Sequence, residues 1–260
     1  MGASEVRRVF LTMVYRELKR FSRSRARVIG SVINPLIWLI FFGKGWSGVF
    51  NNPLATQLFG GVDYMTYLVP GIIAMTVFNM SFMQGITLIW DKQFGFLKEI
   101  LVAPASRTEA IAGRITGGAI VAMLQGVIIL TLSFALAKLK LTGILPSLGL
   151  GFLLGIATAG MGVAIALRMN SMEGFQMVIM MLMLPMTFLS GAFYPVSTMP
   201  NWMQWLAKFN PLTYAVDGTR YYLAGVEPTF GMATDWLVLG ALALVFSGMA
   251  ALGFRRATLD

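Results

Sequence analysis

The chain has 260 residues, 57% of them hydrophobic and 12% charged, with a mean hydropathy of +0.74 and neither Cys nor His. That inventory excludes disulfides, thiol chemistry, zinc-finger ligation and imidazole catalysis, and it points to a single all-α membrane domain over residues 1–260. The net charge of +9 would suit nucleic acid, but the basic residues gather at the ends of apolar runs instead of coating a polar domain, so no nucleic-acid partner is expected.

Residues 1–27 carry eight basic side chains, Arg7, Arg8, Arg16, Lys19, Arg20, Arg23, Arg25 and Arg27. Val6, Val9, Phe10, Met13, Val14, Leu18 and Phe21 recur among them at helical spacing. The pattern predicts an amphipathic interfacial helix on the cytoplasmic face. Such a helix either lies on anionic lipid and braces the bundle or serves only as a charge cluster that sets orientation. Eight charges ahead of the first apolar run, with no small-residue cleavage pattern after it, argue against a signal peptide.

Six stretches lack Asp, Glu, Lys and Arg: Val28–Phe42, Met65–Trp90, Ile115–Ala137, Leu141–Leu167, Gly174–Pro195 and Trp236–Phe254. A hydrocarbon core of ~30 Å takes roughly 20 helical residues, so the pattern predicts six transmembrane helices. Val28–Phe42 is short, rising only ~22 Å, and should extend past its charge-free part. Asn34-Pro35 inside it should kink the helix. Proton-coupled carriers place an ionisable group at membrane depth. These runs hold none, so energy for uphill transport would come from elsewhere.

Short loops rich in Lys and Arg stay in the cytoplasm. Six crossings put fifteen of these residues on the side of the termini and five, Lys44, Lys138, Lys140, Lys208 and Arg220, on the other. Both termini are therefore expected in the cytoplasm of a multi-pass plasma-membrane protein. Gly43-Lys44-Gly45-Trp46-Ser47-Gly48 fits G-x-G-x-x-G by chance, since no βαβ unit surrounds it, and the chain has no phosphate-binding P-loop. Gly151, Gly155 and Ala159 form a small-residue stripe that serves either helix packing or a dimer interface.

Between the second and third spans, residues 91–107 read as a short cytoplasmic amphipathic helix ending near Pro104. Phe94, Leu97, Ile100 and Leu101 share one face, while Lys98 and Glu99 point away. The ridge suits either a groove on a soluble partner or the membrane surface. Residues 195–225 hold two Pro-punctuated apolar segments too short to span. A re-entrant excursion at the outer face fits them, acting as a lid over a pathway or as an aromatic belt.

Two motif series, taken in order, resemble the ABC-2 type family of ABC transporter permeases over essentially the whole chain. The first runs Asp91, Phe94-Gly95, Leu97, Glu99, Pro104, Ser106-Arg107; the second runs Ser190-Gly191, Tyr194-Pro195, Met199-Pro200, Trp202 and Asn210 to Tyr214. The resemblance implies a homodimer of this chain, two separate ATPase subunits that carry ATP and Mg, no cofactor or metal on this chain, and no enzymatic activity of its own. It makes Phe94, Gly95, Phe96, Leu97, Glu99, Ile100 and Leu101 an ATPase-coupling segment. It makes Gly191, Tyr194, Pro195, Pro200, Trp202, Pro211 and Tyr214 parts of an extracellular gate. The Phe-Gly pair is closer to drug-export and nodulation-factor-like members than to glycan exporters, which remain an alternative. The cargo expected is amphipathic, because the spans offer Asn79, Ser81, Gln84, Gln125, Thr131 and Thr158 but no fixed charge. Rival classes are a membrane enzyme built on Asp91/Glu99 or Asp217/Glu227, and a passive channel or scaffold.

Overall fold

The structure is a computed structural model and describes residues 3–50, 52–96 and 106–255. It is all-helical, with no strand among the described residues. Five helical stretches are long and apolar enough to cross a membrane: Tyr64–Gln93, Arg107–Ser133, Leu141–Ala166, Met172–Leu189 and Met232–Arg255. A helix pair, Arg8–Arg23 and Val28–Lys44, meets the same criteria only when its two parts are taken together and is bent by 74° at the break, which makes six candidates among the described residues if the pair is one span.

That pair consists of α1 (Ala3–Arg23) and α2 (Arg25–Trp38), the latter continued by a π-wound turn over Leu39–Lys44. Pro35 stays inside α2, and the irregularity expected at Asn34-Pro35 appears one turn later, where the Leu39 amide is shared between the Leu36 and Pro35 carbonyls. A proline frees a carbonyl of the preceding turn, and a π-turn is one way for the ladder to absorb the misfit. Because of the 74° bend, α1 lies across the N-terminal half of the helix Arg107–Ser133 instead of continuing the first span. The approach is close enough that a Cβ on Gly113 would meet the Phe10 carbonyl at 2.6 Å. Met13, Glu17 and Phe21 are buried by it, whereas Leu11 and Tyr15 stay exposed.

Two short helices, α3 (Ser47–Phe50) and α4 (Pro53–Leu58), lead into α5 (Tyr64–Phe82). Nearly every residue of α5 is buried, as expected of a helix that is apolar all round and central. It breaks at Met83, where ψ is −10°, and resumes as α6 (Gln84–Gln93), so the second span is two helices end to end. α7 (Arg107–Ser133) and α8 (Ile144–Ala166) flank α5, and α12 (Met232–Arg255) packs along α8. The stripe in α8 works inside the chain: a Cβ on Gly155 would sit 3.1 Å from Ala119 of α7 and 3.3 Å from Ser81 of α5.

α9 (Met172–Leu189) is peripheral, with Met177, Met180, Met181 and Leu184 exposed. Residues 195–225, expected to be re-entrant, fold as a 3₁₀ turn at Val196–Thr198, then α10 (Asn201–Ala207) and α11 (Pro211–Ala224). These two helices differ sharply. Trp202 and Trp205 of α10 are exposed, whereas α11 is buried among α5, α8 and α12.

Candidate coupling junction and outer turn

At the end of the bundle that meets α1, the last turn of α6 brings Asp91 into a buried ionic cluster. Its Oδ2 accepts from Arg114 of α7 and Arg16 of α1, both at 2.6 Å, and its Oδ1 accepts from Arg20 at 3.1 Å. Arg114 is 1% exposed and also donates to Thr87 Oγ1 at 2.8 Å. Glu17, itself buried, stands 3.4 Å from Arg16. A buried guanidinium is tolerated only when paired and hydrogen-bonded, and Asp91 supplies that pairing for three helices at once.

The next residue ties the opposite side. Lys92 Nζ donates to the carbonyls of Ala166, Leu167 and Met169 at 3.1, 2.8 and 3.1 Å. These carbonyls lie at and just past the C-terminus of α8, where a cation also favours the helix dipole. Two consecutive side chains of opposite charge thus clamp the end of the second span to α1 and α7 on one side and to α8 on the other.

The chain then leaves the bundle. Phe94 is 83% exposed, Gly95 takes a left-handed φ of 77°, and the Phe96 ring lies 4.5 Å from the Arg16 guanidinium. Leu97, Glu99, Ile100 and Leu101 lie outside the described residues, so of the apolar ridge only Phe94 has a described position. The chain resumes at Ser106, which caps α7.

At the opposite end of the bundle, α9 stops at Ser190, whose Oγ donates to the Thr187 carbonyl and accepts from the Ala192 amide. Gly191 follows with φ at 79°, and a Cβ there would meet Val196 Cγ2 at 2.8 Å. The turn leaves three carbonyls without helical partners, and buried side chains supply the donors. Gly191 O accepts from Arg220 Nη2 at 2.8 Å and from the Tyr67 hydroxyl at 3.3 Å. Ala192 O accepts from Arg220 at 3.3 Å and Phe193 O from the Tyr64 hydroxyl at 3.2 Å. Arg220 is 6% exposed; its Nε donates to the Tyr67 carbonyl, and its guanidinium carbon lies 3.7 Å from the Tyr67 ring centroid. Carbonyl dipoles and an aromatic face solvate this cation where a carboxylate might have been expected.

The remaining residues assigned to the gate are scattered. Tyr194 and Pro195 border an aromatic cleft with Trp46, Phe59, Phe188 and Phe193. Pro200 and Trp202 are exposed on or beside α10. Pro211 occupies the first turn of α11, where its missing N–H costs nothing, behind the Asn210 cap that accepts from Leu212 N at 3.0 Å. Tyr214 is buried, donating to the Lys208 carbonyl at 2.6 Å. Asp217 accepts from the amides of Thr229 and Phe230, both at 2.9 Å, while Glu227 is exposed. That geometry gives Asp217 a loop-capping role and no acid–base partner in Glu227.

Sequence reasoning did not single out Arg16, Arg20, Arg114, Lys92, Tyr64, Tyr67 or Arg220 as site residues. One signal was present: Asp91 and Lys92, of opposite charge, are the first charges after the charge-free run Met65–Trp90.

The ABC-2 type transporter family model matches residues 8–224. The transport permease ycf38 of Pyropia yezoensis is 32% identical over 212 residues, covering 80% of this chain and 71% of that protein. The inner membrane transport permease YadH of Escherichia coli K12 is 26% identical over 244 residues, 86% of this chain and 88% of its own length. The daunorubicin resistance ABC transporter permease protein DrrB1 of Streptomyces coeruleorubidus is 23% identical over 249 residues, 95% and 86% of the two chains. With an all-helical bundle of membrane-crossing length and a family match over most of its residues, the chain belongs to the ABC-2 type transporter family and is a multi-pass transport permease subunit.

Proposed function

We propose that this chain is the membrane half of an ATP-driven exporter that moves an amphipathic, lipid-like or drug-like molecule out of the cytoplasm or inner leaflet. The observation that carries the reading is the Asp91-Lys92 clamp, which makes the root of the segment after α6 a rigid handle on four helices. A force applied to Phe94 and the residues beyond it would pass into α1, α7 and α8 together. In this reading two copies of the chain pair in the membrane and each receives one ATPase subunit. ATP and Mg stay on those subunits, no cofactor or metal resides on this chain, and both termini face the cytoplasm. Phe94, Gly95, Phe96, Leu97, Glu99, Ile100 and Leu101 form the docking segment. Gly191, Tyr194, Pro195, Pro200, Trp202, Pro211 and Tyr214 form the outer gate, with Arg220 holding its turn. Similarity to a permease named for daunorubicin resistance supports an amphipathic cargo.

Inverted membrane vesicles that contain the chain and its co-purifying ATPase provide the test. A fluorescent amphiphile should accumulate in them with ATP and stop accumulating when ATP is withdrawn. Accumulation independent of ATP would favour a passive channel and overturn the reading.

A further inference from the structure

A cleft of about 170 Å³ opens between the first and second spans, lined by Gly30, Asn34, Trp38, Thr76, Asn79 and, from α7, Gln125. Asn34 lies near the middle of Val28–Lys44 and Asn79 at the middle of Tyr64–Gln93, so the cleft sits at the depth of the hydrocarbon core. Gln125 is 1% exposed, yet its Nε2 has no hydrogen-bond partner among the described residues. In hydrocarbon no water stands ready to satisfy such a donor, so a buried carboxamide without a partner is costly. The nearby Thr76 hydroxyl donates to the Ile72 carbonyl and does not accept from Gln125 Nε2.

We infer that this cleft is a ligand site for a neutral amphiphile bearing a carbonyl or ether oxygen, which accepts from Gln125 Nε2 while its apolar part lies along Trp38 and the methionines of α5. The lining contains three carboxamides and no Asp, Glu, Lys or Arg. Amide donors without a countercharge favour an uncharged acceptor over a carboxylate or an ammonium group. This inference rests on the exporter reading for its biological meaning, but not for its test.

The probe is a diazirine-tagged diacylglycerol, photolysed with the purified full-length chain in lipid nanodiscs without nucleotide. Labelled peptides should map to residues 30–38 and 72–83, and an alkane of equal length without acceptor oxygens should compete at least tenfold less well. Gln125→Leu removes the donor; Gly30→Leu fills the cleft, since a Cβ at Gly30 meets nothing within 4 Å. Each substitution should lower labelling at least fivefold and leave the melting temperature unchanged. Undiminished labelling in both variants would overturn the site. A lowered melting temperature in Gln125→Leu would also overturn it, by showing that a protein partner, such as a second copy of the chain, already holds the amide. If labelling behaves as described but vesicles show no ATP-dependent uptake, the exporter reading fails and the site stands. If uptake is normal in Gln125→Leu and labelling is unchanged, the site fails and the exporter reading stands.

Discussion

Both ends of the bundle bury an arginine, and they stabilise it in opposite ways. Arg114 at the end beside α1 is held by the Asp91 carboxylate at 2.6 Å within a cluster that also takes Arg16 and Arg20. Arg220 at the opposite end has no carboxylate within ion-pair distance among the described residues and is held by the carbonyls of Tyr67, Gly191 and Ala192 and by the Tyr67 ring. The first arrangement joins side chains of separate helices and can move as a unit. The second fixes a backbone shape, the left-handed exit from α9. In the proposed exporter the first serves as the stiff point of attachment for the ATPase, and the second as the turn whose geometry decides whether a path is open.

The comparison can be broken by substitution. Asp91→Ala should have the largest effect, because it removes the carboxylate that Arg114 is hydrogen-bonded to and leaves only Glu17 as a nearby buried countercharge, a loss of about 3–5 kcal/mol by analogy with other broken buried pairs. The measurement is the melting temperature of the detergent-purified protein, and a drop no greater than that of Arg16→Gln would mean that Asp91 is not the hub. Arg220→Met should come next. It removes the donor to the Ala192 carbonyl and the cation over the Tyr67 ring, at roughly 2–4 kcal/mol from an unsatisfied buried acceptor and a lost cation–π contact. Arg220→Lys should recover part of that stability but not the wild-type value, since an ammonium cannot reproduce the planar fork.

Gly191→Ala should cost about 1–2 kcal/mol for a left-handed residue with a Cβ, and more if Val196 cannot yield. Its melting temperature should fall modestly while export falls steeply, because the turn is altered without losing its hydrogen bonds. Equal export by a well-expressed Gly191→Ala protein would reduce the outer segment to an aromatic belt. Arg16→Gln, partly exposed and redundant with Arg20, should change stability by about 1 kcal/mol or less.

Orientation is tested by changes that should have no energetic effect. The chain has no native Cys, so Ser22→Cys and Ser197→Cys each present a single exposed thiol. In intact cells an impermeant maleimide should label the second and spare the first. The reverse pattern would invert the topology.

Most of the fold was legible in the sequence, because membrane spans are written as long runs without charge. The charge-free runs from Met65, Ile115, Leu141, Gly174 and Trp236 each fall within or largely overlap a helix of spanning length. The first span was harder. Its charge-free part is short, and the 74° bend that turns α1 onto α7 follows from the close approach at Gly113, a contact between residues about a hundred positions apart. The π-turn after Pro35 was hidden for a different reason: a proline predicts a disturbed ladder, but not where the misfit is absorbed.

The candidate sites were legible as segments and not as contacts. Asp91, Gly191 and Tyr214 stand in recognisable motifs, so their neighbourhoods could be marked. Arg16, Arg20 and Arg114 look like orientation signals in a linear reading, and only folding shows that they share one carboxylate. Arg220 was counted among the outer basic residues, although its burial comes from α11 lying among α5, α8 and α12. Gln125 was one of several polar residues in the spans, and its unpaired amide becomes visible only once its neighbours are known.

The central claim is that the cytoplasmic segment receives the engine and the outer turn does not. It is tested most directly by the ATP hydrolysis that co-purifies with the affinity-tagged chain from membranes, compared between Leu97→Asp and Gly191→Ala. A carboxylate forced into an apolar groove costs more than the ~1–3 kcal/mol of an unpaired polar group, so Leu97→Asp should lower ATPase association at least about tenfold. Gly191→Ala should keep wild-type association while losing export. The chain stripped of its ATPase should hydrolyse no ATP. Full ATPase activity with Leu97→Asp, or an equal loss with Gly191→Ala, would contradict the account.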